Sequence, residues 1–487
     1  MGTERMNDGF FECFRQKVGQ YAARIAMQWY DERQEKVLSR TYAEFWADVQ
    51  RFAGELQGRF AGATGKHIGI FAQNSYDYAV RFFGIVCAGD VAVLLNCRES
   101  MEKIRDEIAF SDVCLLLADE GFIPALSPVC EPMGVPVYLI TESIGPASAF
   151  KAVEGSEPDR LAVLIFTSGT LGKNKCVMLT AGNLLATCAN ARCIFMDFDK
   201  YTGATLLREF LSLPLYHVIA LHELMGSLYC GYVVNLCLDM RYMYRDLQLM
   251  PSDRGCAVTM IVKRWYSDVV SGHQERLGTL CGFLTGGSAM DGEKIRAFEE
   301  AGILVATAYG LSETCGTATH NMVNHSHKYA SIGRPTMDFT EVKFDDGEIC
   351  LKGAAVSPGY YKDPEATAEA IQDGWLHTGD LGYMDEDGYI YITGRKKNLI
   401  ILASGENVSP EELEALLLKN ESIREVLVKE KNGKICAEIF CDAEKRQTLR
   451  DFVTEVNRSL PFYKRMTLVE FRDEPFEKTG SGKIKRK

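Results

Sequence analysis

The sequence has no C-x-x-C pair, although it holds 16 cysteines among 487 residues. Disulfide frameworks and zinc sites need organised cysteine spacing, so neither is expected. Cys114 in VCLLLA and Cys281 in LCGFL sit inside apolar runs and read as small buried hydrophobes of a reducing compartment. Long apolar runs are also missing: none approaches the roughly 20 residues that span a bilayer. The richest stretch, Leu211 to Leu238, is broken by His217, His222, Glu223 and Asn235 and reads as buried helix and strand. The opening MGTERMNDGF carries no apolar signal core, and Met6 stands where a myristoylation signal needs Ser or Thr. A cytoplasmic location is the expectation, with no membrane span. Excess positive charge is absent too. A net charge of −12 weighs against a broad nucleic-acid-binding face. No internal repeat and no low-complexity linker interrupts the chain.

What is present reads as an α/β protein. YDYAVRFFGIVCAG (76–89) has helical spacing, and VAVLLN (91–96) follows as a strand. VCLLLA (113–118), PVYLI (136–140) and LAVLIF (161–166) are short apolar runs of buried-strand type. DGEKIRAFEEAG (291–302) is an amphipathic helix, and ILVATAY (303–309) is the strand after it. Such alternation predicts layered helices and sheets. Hairpin signals then take over, at Asp346-Gly347, Asp387-Gly388 and Asn432-Gly433. In SPEELEALL, Ser409 is the expected N-cap, Pro410 the first helical residue and Glu412 the partner in a capping box. The charged GRKKN is the expected joint between residues 1–396 and a small α+β domain at 397–487.

The stretch TSGTLGKNK, Thr167 to Lys175, follows the run LAVLIF. Glycines let backbone amides approach oxyanions, hydroxyls donate hydrogen bonds and lysine neutralises charge, which suits a phosphate-binding loop. The G-x-x-x-x-G-K-[ST] spacing of a Walker A loop is not met, because only two residues separate Gly169 from Gly172 and Asn174 follows Lys173. A plain glycine-rich turn stays open beside the phosphate loop. Four more stretches concentrate reactive side chains near strands or turns: AYGLSETCG (308–316), LHTGDLGY (376–383), TGRKKN (393–398) and KTGSGKIKR (478–486). Singly, each has a plain reading. Glu313 could be a surface carboxylate, Asp380 a turn residue, Arg395 a solvated charge and Lys483 part of a frayed tail. His320, His325 and His327 match no common zinc spacing and read as a solvated loop.

Order and spacing change the reading. With PLYHVIAL (214–221), FLTGGSAM (283–290), IGRP (332–335) and GEICLKGAAVSPGYYKDPEAT (347–367), these stretches resemble the adenylate-forming superfamily of acyl-CoA synthetases, peptide-synthetase adenylation domains and luciferases. The resemblance runs from SRTYAEF (39–45) to the lysine tail. It implies a large N-terminal domain of helix-flanked β-sheets with a barrel-like part, followed by a small mobile C-terminal domain. It also implies a reaction in which ATP activates a carboxylic acid as acyl-AMP, and a thiol then takes the acyl group. A carboxylate must approach an anionic phosphate, so positive groups and Mg²⁺ are expected at the site.

Residue by residue, the resemblance places Thr167, Ser168, Gly169, Thr170, Gly172 and Lys175 on the β- and γ-phosphates. Leu171, Asn174 and Cys176 depart from the usual Ser/Thr, Pro and Gly there. Tyr309 would lie against adenine, with Gly286, Gly287 and Ser288 lining the adenine and acyl pocket. Ser312 would bond the α-phosphate and Glu313 would ligate Mg²⁺. Asp380 would accept from the ribose hydroxyls, assisted by Arg395. Lys483 would be the adenylation lysine, Lys397 the hinge, and Gly405 part of the surface that faces the thiol step. His217 would gate the acyl site, or else pack in the core.

The substrate is less legible. Amino-acid-activating relatives carry an Asp after this region, whereas LHELMGS (221–227) has none. A fatty, aryl or other organic acid is therefore expected. Three functions stay open at this level: a carboxylate–CoA ligase, an enzyme loading the phosphopantetheine thiol of an acyl carrier protein, and a non-catalytic acyl or nucleotide binder.

Overall fold

The computed structural model describes residues 9–146, 148–152, 158–167, 175–203, 208–286, 292–336, 340–402, 407–478 and 484–486. The chain forms two compact units. The first comprises residues 1–342 and 351–376, the second 343–350 and 377–487.

The first unit is layered α/β, as the alternation predicts. A seven-stranded sheet runs in the order Gly359–Tyr360, Lys175–Thr180, Leu161–Thr167, Val91–Leu94, His67–Phe71, Leu115–Ala118 and Val137–Leu139. The last five strands pair parallel, and Val91–Leu94 and Leu115–Ala118 among them are buried along their whole length, the reason they read as continuous apolar runs. A nine-stranded sheet holds Leu304–Leu311 between Gly316–Met322 and Gly282–Gly286. Helices cover these sheets for local reasons. Thr41 and Glu44 form a reciprocal capping box at Tyr42–Arg59, and Thr180 and Asn183 do the same at Ala181–Thr202. Gly203 then ends that helix with a left-handed φ of 69°. The aromatic residues Phe10, Phe14, Phe45, Phe52, Phe82 and Phe83 fill one side of the core.

The second unit packs the strands Glu425–Lys431, Lys434–Phe440 and Leu468–Arg472 against the helices Pro410–Leu417 and Arg446–Ser459. Leu413 and Leu417 are fully buried there, and Leu416 packs beside them. Ser409 caps its helix, accepting from the Glu412 amide. The Glu412 carboxylate does not complete the expected box; it takes Lys464 instead, at 2.7 Å. Asp346-Gly347 and Asn432-Gly433 both have positive φ at each residue, the type I′ signature. Asp387-Gly388 differs. Only Gly388 is left-handed, and the Asp385 side chain holds the turn by accepting from the Asp387 and Tyr389 amides. Short antiparallel strands between 341 and 395 supply the barrel-like part. The α/β class is therefore as expected, and the smaller second unit takes in 343–350 and 377–396 besides the residues after the GRKKN stretch. Among the described residues, no helix is long and apolar enough to cross a membrane.

Candidate active site

The strand Leu161–Thr167 and the strand Lys175–Thr180 pair antiparallel, with Thr167 opposite Lys175. The Thr167 hydroxyl lies 3.4 Å from the Lys175 carbonyl and donates to it. The two ends of the TSGTLGKNK stretch are thus fixed side by side. Ser168, Gly169, Thr170, Leu171, Gly172 and Asn174 lie outside the described residues, as do Gly287, Ser288, Gly405 and Lys483.

Lys175 does not form an ion pair with any carboxylate among the described residues. Its Nζ lies over the ring of Tyr360, 4.5 Å from the centroid. The hydroxyl of the same tyrosine donates to Glu313 Oε1 at 2.7 Å. Three segments far apart in sequence are joined there. Burial, and the charge of Glu313 beside it, push the Tyr360 phenol well up, so it stays protonated and acts as a donor.

Ser312 and Glu313 occupy a single 3₁₀ turn, Ser312–Thr314, at the end of the strand Leu304–Leu311. Both are half-exposed. Thr314 is buried and ties the turn down by donating to the Gly316 carbonyl. Cys315 takes a left-handed φ of 50°. Its carbonyl accepts from Thr187, whose hydroxyl lies 3.0 Å from His222 Nδ1. His222 is fully buried, and burial pushes its ring down to about 3, so it is neutral. The single proton of the Thr187 hydroxyl goes to the Cys315 carbonyl, so that hydroxyl accepts from His222 Nδ1, and the ring braces the turn through Thr187.

Tyr309 lies on the same strand, opposite Thr319, at a bulge between Tyr309 and Gly310. Gly286 ends the neighbouring strand, where a Cβ would meet the Ala308 carbonyl at 2.8 Å. The glycine lets these two strands approach beside Tyr309. His217 is exposed at the N-terminal end of the helix Val218–Cys230, with its ring 4.7 Å from that of Tyr216. It is not a core histidine.

In the second unit, Asp380 and Arg395 face one another across paired strands. The Asp380 side chain is 4% exposed, and its Oδ1 lies 2.6 Å from Arg395 Nε. Lys397 follows in the turn Lys396–Asn398, its ammonium pushed down by burial and by Arg395. The segment around Lys483 is bracketed by a bridge between Lys478 and Ile484. Lys478 pairs with Glu425 at 2.6 Å, and Arg486 pairs with Glu414 at 2.5 Å while donating to the Val428 carbonyl.

The histidine trio is dispersed. His320 stands on a strand with Asp197 at 2.8 Å. His325 stacks on Tyr201, and His327 ends a short helix. The expected solvated loop is thus a strand and a helical turn, and no cluster able to hold a metal occurs among the described residues. Sequence reasoning missed Tyr360, which lies in a quoted motif without a role, and the Thr187–His222 brace.

The AMP-binding enzyme family model matches residues 14–361, more than half of the chain. A 2-succinylbenzoate–CoA ligase of Bacillus cereus is 31% identical over 385 residues, 74% of each chain. The Bacillus subtilis o-succinylbenzoate CoA synthetase bound to its acyl-adenylate OSB-AMP is 26% identical, with a TM-score of 0.83 over 97% of this chain and 96% of that one. The same enzyme with ATP and magnesium ion gives a TM-score of 0.82 at 26% identity, over 97% and 98%. This chain belongs to the AMP-binding enzyme family, as an AMP-forming acid–thiol ligase.

Proposed function

We propose that this ligase activates an organic acid without an α-ammonium group, with 2-succinylbenzoate as the first candidate, and passes it to CoA. The observation that carries the reading is the joining of Lys175 and Glu313 around Tyr360. It supplies one cation and one carboxylate beside the paired strand ends at Thr167 and Lys175. The acid class is supported by the relatives' substrate and by LHELMGS, which offers no aspartate to pair an ammonium.

In this reading, Thr167, Ser168, Gly169, Thr170, Gly172 and Lys175 hold the terminal phosphates of ATP. Tyr309, Gly286, Gly287 and Ser288 line the adenine and acyl pocket, with His217 at its exposed edge. Ser312 bonds the α-phosphate. Glu313 offers hard oxygen donors that fit Mg²⁺, and a bound Mg²⁺ would spread the phosphate charge that repels the incoming carboxylate. Asp380 accepts from the ribose, its orientation set by Arg395 on Oδ1. Lys483 brings its ammonium between the acid and the α-phosphate, lowering the repulsion between two anions. Lys397 is the hinge about which the 397–487 domain turns, so that the segment at Gly405 takes part in thiol transfer.

The test is chromatographic identification of the CoA thioester formed from ATP, CoA and one acid at a time. The reading expects a thioester with 2-succinylbenzoate and none with α-amino acids. A thioester from fatty acids alone would replace the proposed acid class.

A further inference from the structure

We propose that Tyr360 is a positioning residue for the metal-binding carboxylate, holding Glu313 in place and keeping Lys175 apart from it. The proposal rests on the reading of Glu313 as the Mg²⁺ ligand. Tyr360 is 6% exposed. It stands on the two-residue strand Gly359–Tyr360, which pairs antiparallel with the strand that begins at Lys175, Tyr360 opposite Val177. Its amide donates to Thr367 Oγ1 at 2.9 Å. Two residues before the strand, the Ser357 amide donates to the Glu313 carbonyl at 2.7 Å and the Ser357 hydroxyl donates to the Met178 carbonyl at 2.7 Å. The segment Ser357–Tyr360 is therefore stitched both to the strand leaving the phosphate loop and to the Ser312–Thr314 turn.

The chemistry of this junction is specific. A carboxylate and an ammonium brought to one place would normally pair. Here the phenol donates to one oxygen of Glu313, while the face of its ring takes the lysine. The second oxygen of the carboxylate is left for a cation, and the lysine is left for an anion. The phenol, held by the stitched Ser357–Tyr360 segment, sets the orientation of the carboxylate through this bond. Pre-orientation of a ligand by an outer hydrogen bond is a general way to strengthen a metal site.

Tyr360→Phe removes the hydroxyl and leaves the ring under Lys175. Calorimetric titration of ATP, once with Mg²⁺ and once in EDTA, separates metal-dependent from metal-free binding. The expected result is a loss of about tenfold in the affinity gained on adding Mg²⁺, the range of a hydrogen bond to a charged group. Metal-free ATP binding should be unchanged, which a merely structural role would not spare. Glu313→Gln is the parallel arm and should abolish the Mg²⁺-dependent gain. If it does and Tyr360→Phe keeps the full gain, the Tyr360 proposal falls while Glu313 stands. If Glu313→Gln keeps the gain, the metal reading falls and takes the proposal with it. Equal weakening of both titrations by Tyr360→Phe would also overturn it, leaving Tyr360 a packing residue.

Discussion

Arg254→Met should be strongly destabilising to the first unit, and the reason is electrostatic. Arg254 is 1% exposed, and its guanidinium stands between two carboxylates as deeply buried, Glu209 and Glu223. Its Nε lies 2.7 Å from Glu209, its Nη2 bonds Glu223, and its face lies 3.8 Å from the Phe195 ring centroid. Methionine keeps much of the packing against Phe195 and removes the charge. Two buried carboxylates then lose the guanidinium they share, and the buried His222 ring, 3.8 Å from Glu223, is the titratable neighbour left beside them. Removing one partner of such an arrangement costs about 3–5 kcal/mol, against a whole-domain stability of about 5–15 kcal/mol. The stranded carboxylates escape by taking up protons, so the deficit should grow with pH, by up to about 1.4 kcal/mol per unit for each group that must stay protonated. Urea unfolding of the full chain, followed by circular dichroism at pH 6 and pH 8, reads both effects. The triple change Arg254→Met, Glu209→Leu and Glu223→Leu removes all the charges together and should return to within about 2 kcal/mol of the parent. A single variant within about 1 kcal/mol of the parent at both pH values would refute the reasoning. So would a triple variant no better than the single one.

Other consequences are as concrete. Lys483→Ala should lower acyl-AMP formation by orders of magnitude and spare thiol transfer from supplied acyl-AMP; equal loss in both half-reactions would remove the assigned role. Arg486→Ala should show the same split more weakly, about tenfold in adenylation, because Arg486 anchors the segment after Lys483 on Glu414, and Arg486→Lys should restore part of it. Leu171→Thr should lower the KM for ATP by returning a hydroxyl to the loop, as steady-state kinetics would show. Burial pushes buried Asp90 up to about 7. The folded chain then holds a proton that the unfolded chain releases near about pH 4, so stability falls as pH rises through that window. Asp90→Asn should flatten the fall, as thermal melts at pH 5 and 8 would reveal.

Much of this was legible in the residues. The strands Val91–Leu94 and Leu115–Ala118 are buried on both faces, so continuous apolar runs announced them. Asn432-Gly433 needed two positive φ angles, and its residue types said so. The family was legible as an ordered set of polar stretches. What stayed hidden depends on side chains meeting across sequence separations no local pattern records. Tyr360 reaches Glu313 across 47 positions, and an aromatic residue after a glycine gives no sign of its partner. Arg254 and Glu223 are 31 positions apart. Each looks like an ordinary charge until the sheet buries it. Glu412 fitted the capping-box spacing, but Lys464, 52 positions on, offered its carboxylate a charged partner.

The most direct test of the account is acid-dependent exchange of labelled pyrophosphate into ATP, run with 2-succinylbenzoate, fatty acids and α-amino acids in parallel. Reversal of adenylation is the only step that carries label into ATP, so exchange reports the first half-reaction without CoA. The account predicts Mg²⁺-dependent exchange with 2-succinylbenzoate, lost in Lys483→Ala and in Glu313→Gln. Binding of ATP and acid without exchange from any of the three classes would contradict it. TSGTLGKNK would then be a nucleotide-holding loop and not part of a working adenylation site.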